Sequence, residues 1–302
     1  MRHFISGLRV VLDLAKARLS AVVTLSAATG YLLFGEALSY DLPLAVGGVF
    51  FLSCGASALN QLQDWRYDAR MPRTRTRPLP SGRVDAPVVL FVAGTAILLG
   101  FSCLATIAHH GQHILVLGGF SLLWYNGVYT YLKRVTPFAV IPGALIGAIP
   151  PLIGWAAAGG TFTDPLILLV AFYFFIWQIP HFWLLMLFRG DEYIEAGLPS
   201  LTRTFARAQI CRLTFMWIMA TATAGVLVAG FGQLALPWNV GILAGSVWIA
   251  HAGAQVLHPD APERLFRTVF ARLILYAVLV MVALSLNAVL EVEILDGLVS
   301  AD

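Results

Sequence analysis

The sequence predicts an all-α polytopic membrane protein, a bundle of nine transmembrane helices. The chain of 302 residues is 59% hydrophobic and only 12% charged, which is more apolar surface than a water-soluble core can hide. Several long windows also lack Asp, Glu, Lys and Arg, and a helix of roughly 20 apolar residues crosses the hydrocarbon of a bilayer. The lipid bilayer is therefore the predicted surroundings of the chain.

The uncharged windows give the positions of the predicted helices. Two windows, 86–132 and 213–259, are too long for one crossing and contain turn-forming residues at 109–113 and 230–233, so each is divided into two helices. The predicted spans are 19–36, 42–63, 87–108, 114–132, 138–158, 165–188, 209–230, 237–257 and 270–290.

Basic residues test this count, because Lys and Arg are retained in cytoplasmic loops during membrane insertion. With nine spans, all 19 Lys and Arg fall on one side, in the N-terminal segment and near 64–86, 133–137, 189–208 and 258–272. We therefore expect a bacterial cytoplasmic (inner) membrane protein with a cytoplasmic N-terminus and an outside C-terminus. This topology accounts for the net charge of +3, and we expect no nucleic-acid partner.

The chain is expected to form a single membrane domain over residues 1–302. Residues 1–18 are predicted to be an interfacial N-terminal segment, and 64–86 and 189–208 are predicted to be cytoplasmic active-site loops. Charged side chains are costly in the hydrocarbon. Those that gather at the ends of spans are therefore the first candidates for function.

A first group of candidate site residues lies where the second predicted span ends. Asn60, Asp64 and Asp68 are spaced at i, i+4 and i+8, so a helix presents them on one face. Two carboxylates and an amide oxygen suit Mg²⁺, which also takes phosphate oxygens. The spacing predicts a clamp for a metal-bound diphosphate. Solvated acids at a helix end are the competing interpretation.

A Pro-rich loop with four arginines, residues 71–83, follows this acidic group. Guanidinium groups suit planar oxyanions such as phosphate, and Arg73 and Arg77 are the predicted ligands of the diphosphate. Retention of positive charge in cytoplasmic loops explains the remaining arginines without a ligand. A second acidic cluster, Asp191, Glu192 and Glu195, follows the sixth predicted span and is predicted to hold a second metal ion, with ordinary loop charges as the alternative.

These motifs resemble those of a known family. Asn60-x3-Asp64-x3-Asp68 with Met71-x-Arg73-Thr74-x-x-Arg77 resembles the first signature of the UbiA superfamily of intramembrane prenyltransferases, in its protoheme IX farnesyltransferase branch. Segments 129–137, 147–157, 180–183 and 192–199 are also similar to that branch, and the resemblance covers most of 8–212. The chain departs from the branch at Pro199-Ser200-Leu201-Thr202-Arg203-Thr204, after the second motif, and at Trp177-Gln178-Ile179-Pro180, where the branch more often has a Thr-Pro pair.

The resemblance implies a reaction and a cofactor. A farnesyl group passes from farnesyl diphosphate to a vinyl group of protoheme IX (haem B), leaving a hydroxyethylfarnesyl side chain, and diphosphate is released with the help of Mg²⁺. Lys133 becomes a further diphosphate ligand. Within the second cluster, Glu192 fits the position in the branch, whereas the i, i+4 spacing favours Asp191 with Glu195. Haem A synthase or oxidase assembly proteins are the implied partners.

Two side chains have competing interpretations. Tyr129 is predicted to face the substrate cation or the leaving group, but interfacial tyrosines are common in membrane proteins. The imidazole of His181 could ligate haem iron or steer the macrocycle, or it could form a hydrogen bond between helices.

Two other functions stay open at this point. A prenyltransferase of the same superfamily with an aromatic, quinone-precursor or chlorophyllide acceptor would keep the metal clusters. A secondary transporter is more distant, because transporters place binding groups near the midplane. The acids of this chain lie instead at one end of the predicted spans.

Overall fold

The computed structural model describes residues 2–35, 39–107 and 111–299, with side chains from residue 7 to residue 291 in those ranges. Every regular element in this part of the chain is helical, as predicted. Residues 1 and 300–302, together with the predicted span ends at 36 and 108, lie outside the described residues.

The helices follow the predicted spans along the chain. Their bounds are α1 Arg2–Leu14, α2 Ala17–Leu32, α3 Asp41–Asp68, α4 Ala86–Thr106, α5 His113–Leu122, α6 Thr130–Leu132, α7 Val140–Gly143, α8 Leu145–Ala157, α9 Pro165–Glu195, α10 Leu201–Thr204, α11 Arg207–Phe231, α12 Leu236–Gln255 and α13 Glu263–Val299. A π-helical segment, Leu123–Tyr129, joins α5 to α6, and a 3-10 turn, Pro137–Ala139, precedes α7.

Six helical stretches in the described residues are long and apolar enough to cross a membrane. They are Asp41–Asp68, Ala86–Thr106, Pro137–Ala157, Pro165–Glu195, Arg207–Phe231 and Glu263–Glu291. The chain is therefore an all-helical integral membrane protein. The other predicted spans, 19–36, 114–132 and 237–257, are helical over most of their length, but they fall outside this group. Nine crossings and the orientation of the termini stay predictions.

Two helices extend further than the sequence predicts. Helix α3 continues to Asp68 and α9 to Glu195, so the segments predicted as loops at 64–86 and 189–208 begin inside helices. The charged residues that end an apolar window mark the limit of the hydrocarbon, whereas the helical backbone continues as long as its own hydrogen bonds are satisfied. Between the helices, the loops proper are 69–85 and 196–200.

The helices close into a ring. Neighbours along the chain pack side by side, and α13 packs against α2. One main core cluster lies among α2–α5 and α8, and the other among α7–α9 and α11–α13. Helices α8 and α9 pack together between these clusters, so the interior of the ring is bounded by elements from both ends of the chain.

Glycine permits the tightest helix crossing, between α2 and α8. A Cβ atom at Gly30 would lie 2.0 Å from the Pro151 carbonyl oxygen, and one at Gly154 would lie 1.8 Å from the Ala27 carbonyl oxygen. Lipid gives little hydrophobic drive for helices to associate, so close backbone contact supplies much of the packing energy. The sequence keeps both positions free of side chains.

We predict that Gly154→Ala lowers the melting temperature of the protein in detergent, because overpacking a tight contact costs about 1–3 kcal/mol. Gly94→Ala is the matched control, since a Cβ atom at Gly94 meets nothing within 4 Å. An equal effect of the two substitutions would contradict the importance of this crossing.

Candidate active site

Two buried carboxylates at the C-terminal end of α3 form the centre of the candidate site. Asp64 and Asp68 are 6% and 5% exposed, and Asn60 is 4% exposed. The Asn60 Nδ2 donates to Asp64 Oδ2 at 3.0 Å and to Thr130 Oγ1 at 2.9 Å. The first three predicted site residues are therefore together and are held by neighbouring side chains.

Each carboxylate pairs with cations from another segment. The Lys133 ammonium contacts Asp64 Oδ2, and Arg134 Nη2 donates to Asp64 Oδ1 at 3.2 Å. The Arg77 Nη1 donates to Asp68 Oδ2 at 2.5 Å. Buried charges need partners of this kind, because an unpaired carboxylate away from water is costly. The predicted residues Arg77 and Lys133 thus belong to the same ionic cluster as the acids.

Arg134 is a cluster member that the sequence did not single out. Its guanidinium carbon lies 5.3 Å from the ring centroid of Tyr67 and 4.8 Å from that of Tyr131. It also donates to the backbone oxygen of Gln63 at 2.7 Å. Cation–π contacts and hydrogen bonds together fix the guanidinium against Asp64. Its position next to Lys133 and three residues after Tyr131 was the available signal in the sequence.

The π-helical segment brings two tyrosines onto the cluster. The rings of Tyr125 and Tyr129 stack with centroids 5.8 Å apart, and the Lys133 ammonium lies 5.7 Å from the Tyr129 centroid. A Cβ atom at Gly143 would lie 2.5 Å from the Tyr129 ring, so the glycine makes room for that ring. Tyr129 was predicted as a site residue, whereas Tyr125 was not.

A reciprocal pair of amides ties the π segment to α3. The Asn126 Nδ2 donates to Gln63 Oε1 at 3.0 Å, and the Gln63 Nε2 donates to the Asn126 backbone oxygen at 2.9 Å. The Asn126 Nδ2 also donates to the Ala56 carbonyl at 3.0 Å. Because Gln63 precedes Asp64, this clamp sets the distance between the tyrosines and the carboxylates.

Lys16 is a further cation of the site. From the sequence it is predicted only as one of the basic residues that set the membrane topology. It lies in the turn between α1 and α2 with φ 45°, a left-handed conformation that is unfavourable for lysine. The Gln61 Nε2 holds this turn by donating to the carbonyls of Asp13 and Leu14. Burial, with repulsion from the cations of the cluster, lowers the pKa of Lys16 to about 7, although Asp68 and Asp64 act in the opposite direction.

The two motif regions meet at one end of the bundle. The Tyr193 phenol, at the end of α9, is close enough to Arg73, Arg77 and Asp64 to interact electrostatically. The Arg70 Nη1 donates to the Ala196 carbonyl at 3.3 Å. Arg73, a predicted diphosphate ligand, is exposed. The loop after α3 and the turn after α9 therefore lie side by side, as two halves of one site require.

The second acidic cluster is less enclosed than the first. Asp191 and Glu195 are exposed, and Glu192 pairs with Arg189. Among the described residues, no group of three or more His, Cys, Asp or Glu is placed to hold a metal ion. The two predicted metal-binding sets thus stay predictions, with the acids of α3 bound to cations and two acids of α9 turned to solvent.

An apolar cavity of about 380 Å³ adjoins the ionic cluster. Helices α2, α3, α5, α7, α8, α9 and α13 and the π segment contribute its lining, which contains no Asp, Glu, Lys or Arg among the described residues. Tyr125 and Tyr129 belong to this lining; Tyr129 also contacts Lys133 of the cluster, and Tyr125 stacks on Tyr129. His181, predicted as a substrate ligand, lines the cavity as well.

This arrangement suits an amphipathic substrate with an anionic head and an apolar tail, handled by a protein within a membrane. The chain belongs to the UbiA prenyltransferase family, whose sequence profile matches residues 21–275. The fold comparison agrees. A UbiA homologue from Archaeoglobus fulgidus, solved bound to GPP and Mg²⁺, superposes with a TM-score of 0.67 at 14% identity, over 91% of this chain and 99% of that chain.

Curated relatives are more similar in sequence. The protoheme IX farnesyltransferase of Geobacter sulfurreducens is 38% identical over 75% of this chain and 84% of that protein. The protoheme IX farnesyltransferase of Oleidesulfovibrio alaskensis is 41% identical over 64% of this chain and 67% of that protein.

We predict that Lys16→Met changes the dependence of stability on pH. The folded-state pKa of Lys16 is about 7, below its ordinary value near 10.4. Between these two pH values the unfolded chain binds more protons than the folded chain. Raising the pH across this range therefore stabilises the wild-type protein. The melting temperature of Lys16→Met should therefore exceed that of the wild type most at or below pH 7. The difference should narrow toward pH 10. A difference that is constant with pH would contradict the assignment.

Proposed function

We propose that this protein transfers a farnesyl group from farnesyl diphosphate to a vinyl group of protohaem IX (haem B), giving haem O and diphosphate. One observation carries the proposal. The cationic cluster and the apolar cavity adjoin each other at a single pair of side chains, Tyr125 and Tyr129. The names of the curated relatives support the two substrates.

The cations act on the leaving group. Arg73, Arg77 and Lys133 bind the diphosphate, and their positive charge stabilises the negative charge that develops as the C–O bond breaks. The allylic cation that remains is shielded from bulk water by the apolar lining. The π faces of Tyr125 and Tyr129 lie where they attract a cation.

Magnesium fits the chemistry of the donor set on α3. Asn60, Asp64 and Asp68 offer the hard oxygen ligands that Mg²⁺ prefers, and these residues would hold one ion. Asp191, Glu192 and Glu195 would hold a second. Bound Mg²⁺ supplies Lewis-acid neutralisation of the diphosphate charge. Lys133 and Arg77, which pair with Asp64 and Asp68, can then pair with phosphate oxygens instead. The total charge of the cluster stays balanced.

The acceptor binds in the same cavity. His181 is proposed to face the macrocycle, with the reacting vinyl group directed at the farnesyl carbon that carries the diphosphate. An aromatic or quinone-precursor acceptor would use the same cations, but the names of the relatives favour haem. A transporter is disfavoured because no charged side chain occurs among the described residues that line the cavity.

We further propose a topology with nine crossings, a cytoplasmic N-terminus, an outside C-terminus and a cytoplasmic active site in a bacterial inner membrane. The location of all 19 Lys and Arg at one side of the predicted spans supports it. Residues 1–302 then form one prenyltransferase domain. Its farnesylated product is too apolar to leave the bilayer readily, which favours direct transfer to haem A synthase or an oxidase assembly protein.

The reaction is tested by expressing the protein in cells that lack their own haem O synthase and analysing extracted haem by mass spectrometry. We expect haem O to appear only with the protein. Haem B alone, with the protein present in the membrane, would exclude haem as the acceptor.

We predict that Asp68→Asn and Asp64→Asn each abolish Mg²⁺-dependent farnesyl transfer, because each removes a charged oxygen ligand and a partner of Arg77 or Lys133. Asp85→Asn is the control, since Asp85 is an exposed acid of the same loop. Turnover and melting temperature are measured on the same purified samples. Normal turnover in both α3 variants would remove the metal clamp from the mechanism.

A further inference from the structure

Two polar side chains of α9 face the apolar cavity without a hydrogen-bond partner. Gln178 and His181 both line it. The buried Nδ1 of His181 has no partner, and the Gln178 amide makes no hydrogen bond to any described residue. In hydrocarbon, an unsatisfied polar group costs a few kcal/mol. Such groups are therefore retained where they bind something polar.

Aromatic side chains surround the imidazole of His181. Its ring centroid lies 5.0 Å from that of Trp177 and 4.4 Å from that of Phe270, with interplanar angles of 33° and 31°. Both rings are tilted by about a third of a right angle from the imidazole plane and pack closely against it. The Nδ1 atom is buried without a partner, which leaves Nε2 as the nitrogen that a ligand in the cavity can meet.

Gln178 is one helical turn before His181 and shares its face. Its amide occupies space that Gly147 leaves open, since a Cβ atom at Gly147 would lie 2.0 Å from the Gln178 Nε2. The two side chains therefore offer an amide and an imidazole to the same cavity.

Two serines of the cavity lining, Ser26 and Ser121, differ from this pair. The hydroxyl of Ser26 donates to the Val23 carbonyl at 2.7 Å, and that of Ser121 donates to the Gly118 carbonyl at 2.8 Å. Both satisfy their hydrogen-bonding capacity within their own helices. Gln178 and His181 have no such internal partner.

The proposed reaction needs a polar group inside this apolar space. When the terminal vinyl carbon attacks the farnesyl carbon, a C–C bond forms, the C–O bond to diphosphate breaks, and a cation is left on the inner vinyl carbon. That carbon then either loses a neighbouring proton to give an alkene or is captured by water to give a hydroxyl. The position of a single water molecule decides between these products.

We propose that Gln178 and His181 bind the water molecule that captures this cation, with His181 as the general base. The proposal rests on the function proposed above. The water oxygen forms the new C–O bond, its proton passes to the imidazole, and that proton leaves with the diphosphate. Haem B, farnesyl diphosphate and water thus give haem O and protonated diphosphate. A water site needs two or more polar partners and sufficient room, and the cavity provides both.

The test measures which product forms as well as how fast it forms. Purified His181→Phe and Gln178→Leu enzymes are given haem B and farnesyl diphosphate in oxygen-18 water, and the products are separated by mass. Removal of a general base costs about 10²–10⁴-fold in rate, so water capture should fall at least 10²-fold relative to proton loss. The alkene, one water lighter than haem O, should then predominate.

A matched pair outside the cavity supplies the control. Gln255 and His251 lie one turn apart on α12 with their side chains 3.5 Å apart, and Gln255→Leu and His251→Phe should leave the product ratio unchanged. Gly147→Ala displaces the Gln178 amide and should raise the alkene share without altering a polar side chain. If His181→Phe does not fold, the product ratio of the Gly147→Ala variant still tests the proposal.

Other results would overturn the proposal. Slow variants that still make only labelled haem O would show that these side chains do not direct water. Loss of the haem absorption change on binding in His181→Phe, with an unchanged product ratio, would make His181 an iron ligand instead. Absence of any farnesylated haem from the wild-type enzyme would reject the proposed function itself, and this inference with it.

Discussion

The structure depends on neutralising two carboxylates that are buried at the end of a membrane helix. Asp64 and Asp68 cannot be left unpaired there, and their partners come from the loop after α3 and the segment after the π helix. The same two carboxylates also act on the pKa of Lys16, which lies between α1 and α2. Charge pairing therefore brings segments that are far apart in the sequence together at one end of the bundle.

The same constraint separates the molecule into two chemical environments. All described charged side chains are absent from the lining of the central cavity, while the ionic cluster lies directly beyond Tyr125 and Tyr129. An amphipathic substrate placed across this boundary has its anionic head among cations and its tail among apolar side chains. When the C–O bond breaks at this boundary, guanidinium groups stabilise the diphosphate anion and aromatic faces stabilise the allylic cation.

The sequence predicted those features that depend on spacing along one helix. Asn60, Asp64 and Asp68 were found because a helical face is periodic, and the helices were found because apolar windows have the length of a bilayer. Arg134, Lys16 and Gln178 were missed, since their roles depend on contacts with distant segments. The ends of α3 and α9 were placed too early because charge marks the limit of the hydrocarbon and does not end a helix. The exposure of Asp191 and Glu195 also depends on tertiary packing.

The geometry of the site depends on the number of residues in the π-helical segment. Compared with an α-helix, a π turn accommodates an extra residue within the same run of backbone. Loss of one residue between Leu123 and Tyr129 would convert the π segment to an ordinary α-helix and leave the orientation of the residues after it largely unchanged. Lys133 and Arg134 would still face Asp64, but the stack of Tyr125 on Tyr129 and the hydrogen bond from Asn126 to Gln63, which depend on the π geometry, would be disturbed. Chimeras and loop grafts in this region must therefore conserve residue count as strictly as residue identity.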